Sequence, residues 1–149
     1  MKQLLKFFPF FLCLLWLSSC KKYEDGPAFS LMTKKARIAN IWKVDKYLLN
    51  GEDKTSSYRL FVTREKLVIY QSGEFSYNEI SNWSWAAPAY TGSWKFVSNK
   101  EEVEMTPENT TLKVQTYKIL RLKKDELWLE RQVSPDSLVE YRYLPESIE

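Results

Sequence analysis

The residues that could do chemistry in this chain are its carboxylates, lysines and tyrosines, because its 149 residues include no histidine. Histidine is a common general base near neutral pH and a common zinc ligand. It also activates the nucleophile in Ser-His-Asp and Cys-His arrangements. Catalysis of those kinds is therefore excluded, and acid–base chemistry by paired carboxylates or a buried lysine is what remains to be considered.

Glu102 and Glu104 come nearest to a catalytic carboxylate pair, since residues two apart share one face of a strand. Glycoside hydrolysis needs two carboxyls on either side of the scissile bond, with the pKa of one raised by burial. Each glutamate here has a lysine nearby and falls on the predicted solvent face. We therefore expect no catalytic residue and no enzyme. Only a buried, paired carboxylate or lysine in a cleft would argue for one.

The charge balance argues against nucleic acid as a partner. Lys and Arg total 22 and Asp and Glu total 19, a net charge of +3 that falls close to zero without the two lysines of the leader described next. Four glycines are too few to suggest a glycine-rich phosphate loop. We predict no cofactor and no metal site.

Residues 1–19 have the composition of a secretory signal peptide: a basic start, an apolar stretch over residues 7–17, and then two serines. The apolar stretch is too short for a transmembrane helix. At about 1.5 Å per residue it reaches about half of a roughly 30 Å hydrocarbon core. The segment is therefore expected to direct secretion and to take no part in the fold.

Leu17-Ser18-Ser19-Cys20 resembles the lipobox of bacterial lipoproteins. In that family the cysteine is diacylglycerylated and the chain is cut just before it. The resemblance implies that Cys20 is a lipid anchor and that acyl chains hold the protein in a membrane, durably if there are two or more. Lys21 stands where an Asp often signals inner-membrane retention, which favours the outer membrane of the cell envelope. An ordinary signal peptide that releases a soluble protein is the alternative.

The predicted organisation has three parts. Residues 1–19 are the signal peptide, residues 20–30 are the lipidated cysteine and a flexible tether, and residues 31–149 form one domain. Cys13 is lost with the leader and Cys20 carries lipid. No disulfide and no thiolate site are therefore expected in the domain.

The elements that must position any site are strands, as the alternation of apolar and polar residues indicates. A hairpin can be tested by asking whether one register puts its apolar residues on one face. The first hairpin is predicted to turn through a two-residue loop, Ser72-Gly73, in which glycine supplies a positive φ. Its predicted pairs are Tyr70–Phe75 and Val68–Tyr77.

The second hairpin is predicted to turn at Asn99-Lys100, with two apolar pairs on one face and a charged pair on the other. These pairs are Trp94–Met105, Phe96–Val103 and Lys95–Glu104. One register satisfies both faces, which is strong support for two antiparallel strands.

The third hairpin is predicted to turn at Lys124-Asp125. Its pairs are Leu122–Leu127, Leu120–Leu129, Lys123–Glu126 and Arg121–Trp128, the last within cation–π reach. Earlier on the first of these strands, Tyr117 and Ile119 alternate out of step with Leu120 and Leu122, so strict alternation would place them on the outer face. This slip indicates either a bulge or an apolar outer patch.

Further strands are predicted at residues 41–49, 58–62 and 138–144, and a short helix at 31–39. The fold class is then all-β, an antiparallel up-and-down β-barrel of eight or nine strands with a short N-terminal helix at one end. An eight-stranded barrel has an interior wide enough for side chains or for one small ligand.

The segments that begin "KKARIANIW", "YQSGEFSYNE", "YTGSWKFV" and "YKILRLKK" occur in an order that resembles the lipocalin-like domains of bacterial lipoproteins, over most of residues 31–144. The resemblance implies a calycin-like barrel that holds apolar or amphipathic small molecules, without catalysis. In lipocalins a Gly-x-Trp triplet places its tryptophan at the barrel base beneath an arginine of a late strand. Here Trp42 takes that place with Asn40 for the glycine, and Arg131 or Arg142 is the expected partner.

The candidate ligand-binding residues are aromatic. Five are inward by parity, and three lie in the aromatic segment 81–92, which breaks the strand rhythm. The full set is Tyr70, Phe75, Tyr77, Trp83, Trp85, Tyr90, Trp94 and Phe96. The inward residues serve equally well as core. The segment 81–92 is interpreted as a lid or pocket wall, as packing on its own barrel, or as a contact surface for protein or sugar.

Two functions remain open. A module that binds a small apolar or amphipathic ligand predicts a cavity of roughly 300 Å³ or more lined by the inward aromatics. A structural or interaction lipoprotein with a protein partner in an envelope complex predicts a filled barrel core, with an exposed apolar patch around Trp83 and Trp85.

Overall fold

A closed antiparallel barrel forms the structure, a computed structural model that describes residues 31–81 and 89–146. The strands are β1 (Asn40–Leu49), β2 (Glu52–Asp53), β3 (Val62–Ile69), β4 (Glu74–Ser81), β5 (Ala89–Val97), β6 (Glu102–Pro107), β7 (Gln115–Leu122), β8 (Leu127–Ser134) and β9 (Ser137–Pro145). The helices are α1 (Lys34–Ile38) and α2 (Thr55–Phe61), with a 3-10 turn at Ser98–Lys100.

Eight of the strands follow one another around the barrel, and pairing of β9 with β1 closes it, while β2 is a short extra strand beside β1. Closure pairs the first and last strands of the sheet, and the barrel wall stays open where β1 and β3 separate. The predicted all-β, up-and-down barrel is confirmed, and its architecture is consistent with a lipocalin-like fold. No helix among residues 31–81 and 89–146 is long and apolar enough to cross a membrane.

The second hairpin has the predicted register. Trp94 pairs with Met105 and Phe96 pairs with Val103 on the inner face. On the outer face the Lys95 Nζ lies 2.8 Å from a carboxylate oxygen of Glu104. The assignment of this carboxylate to a surface ion pair is therefore confirmed.

The first hairpin differs from the prediction by one residue. Phe75 pairs with Ile69, and Tyr77 pairs with Leu67, because the turn holds four residues and not two. The Tyr70 N–H donates to the Glu74 carbonyl at 2.9 Å and closes this wider turn. Tyr70 consequently lies outside the strand and is 49% exposed, so its predicted inward position is wrong.

The third hairpin is confirmed near its turn and altered beyond it. Leu122 pairs with Leu127 as predicted, and the Arg121 guanidinium lies 4.1 Å from the Trp128 ring centroid. The predicted pair Leu120–Leu129 is wrong, because the register shifts and Leu129 pairs with Ile119. Ile119 and Leu120 are both buried, as a bulge allows, so the bulge alternative is confirmed.

The predicted strand at residues 58–62 is wrong, because α2 occupies most of it. The Asp53 carboxylate accepts the Thr55 N–H at 2.9 Å, and the Tyr58 N–H donates to the Lys54 carbonyl at 2.8 Å, which starts a helical turn. The helix leaves Leu60 and Phe61 exposed and directs Tyr58 toward the barrel. Without that strand, β1 pairs with β3 over only three residues at one end.

The predicted N-terminal helix is present as α1, at the barrel end that holds most of the apolar core. The Thr33 hydroxyl caps it by accepting the Ala36 N–H at 3.1 Å. Ile38 is fully buried, and its carbonyl accepts the Trp42 indole N–H at 2.8 Å. Arg37 is also buried and donates to the Leu122 carbonyl at 2.8 Å. The helix thereby covers this end of the barrel.

The predicted arginine partner of Trp42 is wrong for both candidates. Arg142 lies on the outer face, 4.0 Å from the Trp128 ring centroid, and Arg131 lies 5.3 Å from the Tyr117 ring centroid. The buried arginine at the α1 end is Arg37, which comes from the helix and not from a late strand. We call this filled part of the barrel the closed end; its core residues include Ile38, Trp42, Ile69, Trp94, Leu122 and Leu127.

Candidate ligand-binding site

A cavity of about 210 Å³ lies inside the barrel, beyond the closed end. Its apolar side is formed by Leu67, Phe75, Met105 and Leu129. Its remaining wall is polar or aromatic and consists of Glu65, Tyr77, Glu79, Tyr90, Gln115, Tyr117, Arg131, Tyr141 and Tyr143. The two sets meet inside one cavity, which makes the cavity amphipathic.

Strand geometry explains how apolar and polar groups come to share this cavity. Side chains two apart on a strand point to the same face. On β3 the inward residue after Leu67 in the direction away from the closed end is Glu65, and on β8 the one after Leu129 is Arg131. Polarity therefore rises along the barrel axis within single strands.

Glu65 is the most deeply buried acidic group of the cavity, with 7% of its surface exposed. The Tyr58 hydroxyl donates to one carboxylate oxygen, and the Tyr143 hydroxyl lies 3.4 Å from the other. The pKa of Glu65 is raised to about 7, mainly by burial; the hydrogen bond from Tyr58 opposes the rise, the nearby Glu79 charge adds to it, and the contact with Tyr143 opposes it. This carboxyl consequently changes charge near neutral pH.

Glu79 is the second acidic group of the cavity, and its partner is on the same strand. The Tyr77 hydroxyl donates to its carboxylate at 2.7 Å. Burial also raises the pKa of the Tyr77 phenol above its ordinary value, and Glu65 and Glu79 add to that effect. Burial raises the pKa of Tyr117 to about 12. These phenols are therefore neutral hydrogen-bond donors at physiological pH.

Arg131 is the cationic group of the cavity lining. Its Nε is buried and has no hydrogen-bond partner in residues 31–81 and 89–146. It projects from β8, which is four strands from β4 in either direction around the eight-stranded barrel. Arg131 and Glu79 therefore stand on opposite walls.

Aromatic rings line the space between these charged walls. Tyr77 and Tyr90 have ring centroids 5.0 Å apart, and Phe75 meets Tyr90 edge to face at 6.0 Å. On the β9 side, Tyr141 and Tyr143 are stacked with centroids 5.9 Å apart. Such rings offer faces to cations or to other rings, and their hydroxyls offer hydrogen bonds.

A groove of about 360 Å³ lies on the barrel wall where β1 and β3 separate. Lys43, Arg59, Arg64 and Glu146 line its outer part, and Tyr58 and Glu65 form its inner boundary. Because Glu65 also lines the internal cavity, the pair formed by Tyr58 and Glu65 separates the groove from the cavity.

Side chains that line the groove form hydrogen bonds and ion pairs on the protein surface. The Arg59 guanidinium donates to the Asp45 carbonyl at 3.1 Å, on the part of β1 that has no strand partner on this side. Glu146 forms ion pairs with Lys66 at 2.6 Å and with Arg64 at 3.1 Å, and both interactions lower its pKa. Arg59 and Arg64 of this groove are thus occupied within the protein.

The predicted ligand-binding residues are distributed over several places. Phe75, Tyr77 and Tyr90 line the cavity. Trp94 and Phe96 pack against each other at 5.2 Å in the core, away from the cavity lining. Tyr70 is exposed on the surface. Trp83 and Trp85 lie outside the described residues, as does Cys20, and a role in ligand binding stays a prediction for every member of the set.

The charged cavity residues were not predicted, although the sequence carries a signal for most of them. Glu79 and Arg131 each lie two positions beyond an inward residue, Tyr77 and Leu129, and extending the same parity finds them. Glu65 could not be found in this way, because the one-residue error in the first hairpin placed it on the outer face.

Within the described ranges, 31–81 and 89–146, no group of three or more histidine, cysteine, aspartate or glutamate residues is placed to hold a metal ion. Neither a scan of protein-family models nor a search of curated protein sequences found a match to this chain. The geometry and chemistry of the cavity are therefore what indicate its function.

Proposed function

We propose that this chain is a lipoprotein, anchored to the outer membrane through acyl chains on Cys20, whose barrel binds one small amphipathic molecule without catalysis. The observation that carries the binding function is the internal cavity of about 210 Å³ with an apolar side and a polar, tyrosine-rich wall. Ligand sites are concave, mostly apolar and supplied with a few placed polar groups. This cavity is concave and combines an apolar side with placed polar groups, and its lining is more polar than that of most ligand sites.

The size and polarity of the cavity limit the class of ligand that can bind there. The predicted cavity of roughly 300 Å³ or more is wrong in size, because the observed volume is about 210 Å³, and this smaller volume favours a compact molecule. A purely apolar ligand would remove water from Glu65, Glu79 and Arg131 without replacing the lost hydrogen bonds, at a cost of several kcal/mol. An amphipathic ligand avoids that cost.

The binding function is tested by native mass spectrometry of the protein purified from its own cells. We expect a small-molecule adduct, and we expect Gln115→Trp, which fills the cavity from β7, to lose it. Val114→Trp is the matched control, because the neighbouring Val114 side chain is exposed. An adduct of equal occupancy in the Gln115→Trp variant would place the ligand elsewhere and contradict the proposal.

The membrane anchor rests on the lipobox pattern at Leu17-Ser18-Ser19-Cys20 and is tested separately. Cells fed a radiolabelled fatty acid should incorporate the label into the wild-type protein and not into Cys20→Ser. The wild-type protein should fractionate with outer membranes. Label retained in Cys20→Ser, or a wild-type protein that is unlabelled and soluble, would contradict the anchor.

Acid–base catalysis is a second candidate function, and one observation favours it. Glu65 is a buried carboxyl in a cavity, paired with Glu79 and with a pKa raised by burial to about 7, which suits a general base near neutral pH. If the co-purified molecule is converted by the wild-type protein and binds unchanged to Glu65→Gln without conversion, catalysis replaces simple binding. Equal behaviour of the two proteins supports binding alone.

The interaction lipoprotein with a partner in an envelope complex stays the alternative. It predicts a barrel filled by its own side chains, which describes the closed end but not the cavity. The observed cavity therefore favours ligand binding between these two functions.

A further inference from the structure

We infer that the barrel cavity is specific for a compact zwitterion, whose cationic group lies against the Glu65 and Glu79 wall and whose anionic group pairs with Arg131. The inference rests on the proposed ligand binding and names the class of ligand. An amino acid or a betaine has the required chemistry.

The first support is the separation of opposite charges across one small cavity. Glu65 and Glu79 project from the neighbouring strands β3 and β4, and Arg131 projects from β8 on the far side. The acidic groups take their hydrogen bonds from Tyr58, Tyr143 and Tyr77, not from this arginine. The charges are thus held apart by the barrel instead of neutralising one another.

The second support is the unsatisfied donor on Arg131. A buried guanidinium nitrogen without an acceptor, in the described part of the chain, is costly unless a solvent molecule or a ligand supplies one. Arginine recognises carboxylates through planar, paired hydrogen bonds. A ligand carboxylate is therefore the group that fits this wall.

The third support is the ring lining near the acidic wall. Tyr77 and Tyr90 pack at 5.0 Å, and Tyr77 also holds Glu79 through its hydroxyl. Ring faces attract ammonium and quaternary ammonium groups, and the nearby Glu79 carboxylate adds to that attraction. The acidic wall therefore suits a cation that is partly apolar.

Size is consistent with such a ligand. The cavity of 210 Å³ corresponds to the volume of about seven liquid waters at roughly 30 Å³ each. That space accommodates an amino acid or a betaine but not the acyl chain of a membrane lipid. A simple cation would leave Arg131 without an anion, and a simple anion would leave the acidic wall without a cation, so each should bind more weakly than a zwitterion.

Charge selectivity is tested by calorimetric titration of the full-length protein in detergent with four probes of nearly equal shape. Glycine betaine is zwitterionic, choline is cationic, tert-butylacetate is anionic and neohexyl alcohol is neutral. We expect glycine betaine to bind at least tenfold more tightly than the other three. Phenylalanine serves as a second, larger zwitterion, and at least one of the two zwitterions must lead the series.

Single substitutions test which wall of the cavity binds the anionic group of the ligand and which binds its cationic group. Arg131→Gln should weaken glycine betaine at least tenfold and leave choline unchanged or tighter, whereas Glu79→Gln should weaken glycine betaine and choline but not tert-butylacetate. Glu104→Gln, on the outer face, is the matched control and should change none of them. Circular dichroism in the near ultraviolet checks that each variant is folded.

The outcomes separate this inference from the proposed function. If choline, tert-butylacetate or neohexyl alcohol binds as tightly as the zwitterions, the cavity binds ligands but the zwitterion inference is wrong. If no probe binds and no adduct is found on the protein from its own cells, both the inference and the proposed function are wrong. Tight zwitterion binding that is unaffected in Arg131→Gln would also overturn the inference.

Discussion

The same strands build both ends of the barrel, but one end is filled by apolar side chains and the other encloses a cavity lined by polar groups. At the closed end the inward positions carry Trp42, Leu122 and Leu127, all fully buried in one apolar cluster. Toward the other end the inward positions of the same kind of strand carry glutamate, tyrosine and arginine around a cavity. The contrast separates the residues that stabilise the fold from the residues that are free to bind a ligand.

The two helices also differ: α1 covers the closed end, whereas α2 lies on the barrel wall where β1 and β3 separate. The α1 helix contributes Ile38, which is fully buried, and accepts the Trp42 indole N–H. The α2 helix buries none of its residues completely and reaches the barrel through Tyr58, which stacks on Tyr47 at 4.6 Å and hydrogen-bonds Glu65. Apolar burial therefore holds α1 in place, whereas α2 is held through a tyrosine that hydrogen-bonds a carboxylate of the cavity wall.

The largest effect should come from the closed end. Trp42→Ala removes a fully buried indole and its hydrogen bond to Ile38, and should lower the free energy of unfolding by about 3–5 kcal/mol. Urea denaturation measures this loss. Val133→Ala, at an exposed position, is the control and should change stability by less than about 0.5 kcal/mol. A loss at Trp42 as small as that of the control would mean that the closed end does not carry the stability of the barrel.

The next effect concerns the cavity and depends on pH. Burial raises the pKa of Glu65 from 4.5 to about 7, so the folded protein binds this proton more tightly than the unfolded chain does. Stability from this group is therefore full below about pH 4.5 and is lost as the pH rises through about 7, by roughly 3 kcal/mol. Glu65→Gln should abolish this part of the pH dependence and be more stable than the wild type at alkaline pH.

The measurement is urea denaturation of both proteins from about pH 4 to about pH 9, with Glu104→Gln as the matched control on the outer face. The control should follow the wild-type curve. If Glu65→Gln also follows it, the carboxyl is better solvated than its burial indicates, and the two ends of the barrel differ less in stability than their residues suggest.

A smaller effect is expected where the two ends meet, at Gly92. A Cβ built on this residue would lie 2.2 Å from the Thr106 carbonyl oxygen and 2.6 Å from the Phe75 ring, which lines the cavity. Gly92→Ala should push β5 and β6 apart and lower the free energy of unfolding by about 1–3 kcal/mol. The neighbouring Ser93 is exposed, so Ser93→Ala in the same denaturation series is the control. Equal stability of the two variants would show that the strands tolerate the displacement.

Much of the barrel could be predicted from alternation alone. The hairpin of Trp94, Phe96, Val103 and Met105 has one register that satisfies both faces, so the predicted pairs and the Lys95–Glu104 ion pair are found in the structure. The hairpin at Tyr70 lacks such a check. Its outer face carries no charge pair near the turn, and a four-residue turn fits the sequence as well as a two-residue one.

The cavity was harder to predict, because its chemistry depends on that register and on a helix. A shift of one residue in the register of β3 moves Glu65 from the inner face of the barrel to the outer face. The segment at Tyr58 alternates like a strand, yet the Asp53 carboxylate and the Thr55 N–H begin a helix there. Parity places Phe75 and Tyr77 correctly and, if extended, also finds Glu79 and Arg131, whereas Tyr117 lies beyond a bulge and Glu65 depends on the register of the first hairpin.

The smallest effect asks whether α2 is linked to the cavity. The hydrogen bond from the Tyr58 hydroxyl opposes the burial that raises the pKa of Glu65. Tyr58→Phe should therefore raise that pKa above 7 and cost about 1 kcal/mol of stability below the pKa. Carbon NMR of glutamate carboxyls measures the titration, with Tyr47→Phe as the control that loses a hydroxyl from the ring stacked on Tyr58.

A pKa that rises in Tyr58→Phe but not in Tyr47→Phe ties the helix to the protonation state of the cavity wall. Ionisation of Glu65 then strengthens the contact that holds α2 across the separated strands, because a hydrogen bond to a charged acceptor is stronger than one to a neutral acceptor. If the pKa of Glu65 stays at about 7 in Tyr58→Phe, α2 covers the gap between β1 and β3 without affecting the protonation of the cavity. In that case the two helices would differ only in how much apolar surface each one buries.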